Sequence, residues 1–113
     1  MGRSCLASVG DECLLNQRIG RFVVDRSLVL PEFLFRCLNT SRFKAHAIAN
    51  CEGSKVKHLF WSHLAKFEIP VPTIGTQSEI IDQLAAVDRT CRSVSARRLA
   101  ATTLWREVLA QVA

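Results

Sequence analysis

Residues 67–84 read Phe-Glu-Ile-Pro-Val-Pro-Thr-Ile-Gly-Thr-Gln-Ser-Glu-Ile-Ile-Asp-Gln-Leu, and they divide the chain into two kinds of sequence. Ahead of them, short apolar runs alternate with Gly, Asn and Ser breaks; behind them, residues 76–113 contain neither Gly nor Pro. Pro70 and Pro72 fix φ and each lack a backbone donor, so Ile69 to Val71 reads as an extended exit segment whose ladder ends at Pro72. Thr76 and Glu79, three residues apart ahead of Ile80-Ile81, match a capping box and place a helix N-cap at Thr76. The unbroken run from Gln77 to about Gln111 would rise about 50 Å as one helix, at ~1.5 Å per residue.

Along that run Ile80, Leu84, Val87, Cys91 and Val94 recur at alternating steps of four and three, and the series continues through Arg98 to Ala101, Trp105, Val108 and Val112. This is coiled-coil spacing with one charged break. An apolar stripe of this length calls for a facing helix from the same chain, a second copy or a missing half of a larger protein.

Upstream, Glu12 to Gln17 and Arg21 to Asp25 are short runs of bulky and β-branched residues around Gly20, the pattern of a hairpin. Pro31 to Asn39 opens with Pro and Glu and carries Phe33, Leu34, Cys37 and Leu38 on one stripe, which predicts a helix. Ser41 caps a second helical stretch, Arg42 to Ala49, and Asn50 to Ser54 reads as a loop. Val56 to Trp61 is apolar with Lys57 and His58 interleaved, Ser62 caps a single turn through Lys66, and Phe67 to Val71 forms a final strand. The expected fold class is therefore α+β: a small, partial mixed α/β domain over 1–75, then one long coiled-coil-type helix over 76–113.

The chain has 113 residues, 15 Lys and Arg against 10 Asp and Glu, and a formal charge of +5, which favours an acidic partner. Ten of the basic residues and six of the acidic ones precede residue 76, so most of the excess lies ahead of the helix. The five cysteines, at 5, 13, 37, 51 and 91, are odd in number and form no C-x-x-C pair, which points to reduced thiols in a cytoplasmic protein. No apolar stretch reaches the roughly 20 residues of a membrane span. The glycines at 2, 10, 20, 53 and 75 are too scattered for a phosphate-binding loop, so no nucleotide cofactor is expected. Cys51, His58 and His63 lack a fourth ligand and match no common zinc spacing, and the carboxylates stand singly, so neither a metal nor catalysis is expected. Two Gly-centred basic clusters remain: Arg18 and Arg21 about Gly20, and Lys55 and Lys57 with Ser54 and His58 after Gly53, either phosphate-holding or simply solvated.

Taken in order, Leu15-Asn16-Gln17-Arg18-Ile19-Gly20, Pro31-Glu32-Phe33-Leu34-Phe35-Arg36, Ser41-Arg42-Phe43, Gly53-Ser54-Lys55-Val56-Lys57-His58-Leu59 and Ile69-Pro70-Val71-Pro72-Thr73-Ile74-Gly75-Thr76-Gln77 resemble the specificity subunit of type I restriction-modification enzymes. The family usually has Glu-Gln after its I-P-x-P segment, where this chain has Thr76-Gln77. The resemblance implies the later part of a target recognition domain joined to a conserved-region helix that spaces two such domains. It also implies double-stranded DNA, a methyltransferase (M) subunit and a restriction (R) subunit as partners, with chemistry left to those subunits. On this reading Arg18, Arg21, Lys55 and Lys57 meet phosphate, and Gln17, Ser54 or His58 approaches base edges. Two alternatives stay open: a helix-mediated oligomerisation or interaction protein, and a truncated remnant without DNA-binding activity.

Overall fold

A computed structural model describes residues 4–7, 14, 16, 19–53 and 58–112. Within them the helices are α1 (Pro31–Leu38), α2 (Ser41–Asn50), α3 (Trp61–Leu64) and α4 (Ile74–Val112). The chain divides into two compact units, Met1–Ile81 and Asp82–Ala113, so the first two turns of α4 belong with the short helices.

The short helices form where local chemistry closes their ends. Pro31 needs no donor in the first turn of α1, and Asn39 closes the other end, its side-chain amide donating to the Phe35 carbonyl at 2.8 Å and to Ser4 Oγ at 2.7 Å. Thr40, rather than Ser41, caps α2: its hydroxyl accepts from the Phe43 N–H at 3.2 Å and donates to the Cys37 carbonyl at 2.7 Å. One side chain thus fixes the corner between α1 and α2. Phe33 and Leu38 of α1 and Phe43 and Ala47 of α2 make up the buried apolar core, α1 packing on α2 and α2 on α3.

Phe67 extends that core. Its ring meets Phe43 edge-on at 5.1 Å and His46 at 5.1 Å, and the Arg42 guanidinium lies 5.3 Å over its face. His46 Nε2 donates to the His63 carbonyl at 2.8 Å, which ties α2 to α3.

Gln77, in the first turn of α4, is fully buried. Its amide nitrogen donates to the carbonyls of Leu28 (2.9 Å) and Pro72 (2.8 Å), and its oxygen accepts from the Leu30 N–H (2.9 Å). A buried primary amide is tolerated when its donors are used in this way.

The expectation of an α+β fold is overturned. Among the described residues there is no sheet, and the β pairing is one isolated antiparallel bridge, Glu52 with His58, its two N–H···O distances 2.9 and 2.7 Å. Arg21 to Asp25 forms no strand and runs instead into a turn, in which Asp25 accepts from the N–H groups of Leu28 and Val29 through its carbonyl and from Ser27 through its carboxylate. β-branched residues favour a strand only beside another strand, and Leu14 and Asn16, the described residues of the expected hairpin partner Glu12 to Gln17, are not in one; the rest of that partner lies outside the described residues. Phe67 to Val71 is not a strand either. The Phe67 N–H is taken by the Leu64 carbonyl, and Pro70 and Pro72 have no donor to offer a ladder. Of Val56 to Trp61, Val56 and Lys57 fall outside the described residues, and Trp61 opens α3.

The long helix is present and starts earlier than the capping box at Thr76 indicates. Ile74 is its first residue, and the Thr73 hydroxyl accepts from the Thr76 N–H at 3.3 Å. In the second unit the helix is exposed along nearly its whole length, and no helix among the described residues is long and apolar enough to cross a membrane.

Candidate nucleic-acid interface

Two of the seven proposed DNA-contacting residues, Arg21 and His58, are described, and both are exposed; Gln17, Arg18, Ser54, Lys55 and Lys57 lie outside the described residues. Each of the two lies beside an aromatic ring pair. Phe22, next to Arg21, meets Trp61 at 5.4 Å with the planes tilted by 47°. Phe60 adjoins Trp61 in the chain and stacks on the His58 ring at 6.2 Å and 28°. Arg21 thus adjoins one ring pair, Phe22–Trp61, His58 belongs to another with Phe60, and the two pairs meet in sequence at Phe60-Trp61.

The second cluster is bracketed by a small device. The Glu52–His58 bridge pairs the residues on either side of the run 53–57, and Gly53 has φ 105°. A positive φ of this size is open to Gly and costly to other residues. The Glu52 carboxylate lies 3.1 Å from His63 Nε2, so the acid of the bridge has a neighbouring ring. His63 in turn meets Phe60 edge-on at 5.9 Å. No group of three or more His, Cys, Asp or Glu side chains among the described residues is placed to hold a metal ion.

Phe22, Phe60 and Trp61 were not among the residues that charge and motif spacing single out. Their exposures are 40%, 51% and 62%, large for aromatic rings in a chain with a small core. The available signal was their position, since each lies beside or shortly after a basic cluster.

The proposed helix-pairing residues are all helical. Ile80 is half-buried in the first unit, whereas Leu84, Val87, Cys91, Val94, Ala101, Trp105, Val108 and Val112 are exposed in the second. Ala101, Leu104, Trp105 and Val108 line a shallow apolar hollow on the helix surface. Leu104, off the strict four-three series, widens the stripe there.

Residues 4–101 match the family model for the type I restriction modification DNA specificity domain. No curated protein and no solved structure matches the chain.

Proposed function

Because the chain belongs to the type I restriction-modification DNA specificity domain family, we propose that it is a DNA-recognition piece of a specificity subunit that directs methyltransferase and restriction subunits to DNA in the cytoplasm. The observation that carries this reading is the extent of the family match, which spans both basic clusters, Phe22, Phe60 and Trp61, and most of α4. Arg18, Arg21, Lys55 and Lys57 supply phosphate contacts, and Gln17, Ser54 and His58 supply groups for base edges. The formal charge of +5 adds long-range attraction for a polyanion. Members of this family recognise DNA and leave the chemistry to other subunits, so the chain needs no catalytic group.

The second unit has a different task on this reading. Its exposed Val87, Val94, Trp105 and Val108 make a stripe that a single solvated helix has no use for, and a second helix laid along it would remove that surface from water. The facing helix comes from a second copy or from another half of a specificity subunit.

Fluorescence anisotropy of a labelled mixed-sequence duplex, titrated with the full chain, tests the DNA reading. Binding at low salt that weakens steeply as salt rises is the expected result. A duplex that stays unbound at low salt would leave an assembly protein whose basic excess serves another end.

A further inference from the structure

We propose that the exposed rings of Phe22, Trp61 and Phe60 form a stacking platform for a nucleobase that has left its duplex stack, so that this surface engages bases through their faces as well as DNA through its phosphates. The proposal rests on the DNA reading above and adds its chemistry: the ligand is DNA with at least one unstacked base.

Three observations support it. The rings are exposed yet held in place, Phe22 against Trp61 at 5.4 Å and Phe60 against His58 at 6.2 Å, so little ordering is left to do when a ligand arrives. A cationic group adjoins them in the chain: Arg21, which is exposed, precedes Phe22. The acid of the bridge, Glu52, lies 3.1 Å from His63 Nε2. Exposed rings with a cation next to them in the chain suit a ligand with flat faces and a charged backbone, whereas an apolar protein surface gains nothing from the cation. In a regular duplex each base face is covered by its neighbours. An unpaired base has already lost part of that stacking and is the cheapest to receive.

The test uses the full chain with two probes, a mixed-sequence duplex and the same duplex carrying one unpaired thymine. Intrinsic tryptophan emission and anisotropy are read together. Wild type should lose emission on binding the bulged duplex, and Trp61→Phe, in which Trp105 is the remaining tryptophan, should bind it without that loss. Trp61→Ala should bind the bulged duplex on the order of tenfold more weakly and the paired duplex less affected. Equal emission changes in wild type and Trp61→Phe would overturn the platform while leaving DNA binding intact. So would a Trp61 emission change that follows protein concentration without DNA, since that marks a protein occupant. If neither duplex binds wild type, the DNA reading falls and the platform with it. The comparison of wild type with Trp61→Phe decides the matter even if Trp61→Ala does not fold.

Discussion

Leu30 donates its backbone N–H to Gln77 Oε1 across 47 residues of sequence, at 2.9 Å. Leu30 is the N-cap residue of α1 and has no side-chain cap of its own, while Gln77 stands in the first turn of α4. One amide therefore fixes where the short helices begin relative to the start of the long one. Gln77→Ala leaves the Leu30 N–H and the Leu28 and Pro72 carbonyls without their partner, at a cost of about 2–3 kcal/mol. Gln77→Glu keeps the shape but turns an acceptor toward two carbonyls, so it should be at least as destabilising at neutral pH and partly recover as the carboxyl protonates. Urea midpoints at two pH values check both.

Gly53 and Gly20 give a paired test of backbone freedom. Gly53 sits at φ 105°, so Gly53→Ala should cost about 1–2 kcal/mol and loosen the Glu52–His58 bridge. Gly20 has no positive φ, and an added Cβ there meets nothing within 4 Å, so Gly20→Ala should fall within about 0.5 kcal/mol of wild type. Thermal unfolding of the two variants separates the positions.

The sequence exposed the helical parts of this fold far better than the rest. Pro31 and the apolar stripe behind it predict α1 almost to the residue, and the absence of Gly and Pro after residue 75 announces α4, because helices are built from short-range bonds that local sequence encodes. The start of α4 was misplaced because the Thr73 hydroxyl competes with Thr76 for the capping role, and Gln77 locks that turn from tertiary partners no local pattern reveals. The expected strands failed for the complementary reason. Val23-Val24 and Ile69 to Val71 have strand composition, but composition supplies no neighbour to pair with. In the candidate site the charges were visible as clusters. The Phe22–Trp61 contact was not, since it joins residues far apart in the chain.

Asp25 offers a pH-dependent check on the turn that replaces the expected strand. The Ser27 hydroxyl, and then the Ser27 N–H, stabilise the Asp25 carboxylate and hold its pKa below the ordinary aspartate value. A lowered folded-state pKa means that this contribution is fully present above the ordinary value and is lost as pH falls through the lowered one. NMR titration should place the Asp25 midpoint below that of a free aspartate, and Ser27→Ala should move it upward.

Helix pairing is tested on the second unit. Val108→Glu places a charge in the middle of the apolar hollow formed with Ala101, Leu104 and Trp105. Sedimentation of wild type should show association that increases with concentration, and Val108→Glu should shift the population toward monomer. A wild type that stays monomeric at every concentration would mean that the facing helix is not a second copy.

The most direct test of the central claim is the salt dependence of duplex binding in wild type and in Lys55→Ala/Lys57→Ala, measured by anisotropy on the same DNA. If these lysines hold phosphates, the slope of log affinity against log salt should shrink by about 0.9 for each contact removed, with weaker binding on every sequence. An unchanged slope and affinity in the double variant would contradict the assignment of this cluster to DNA.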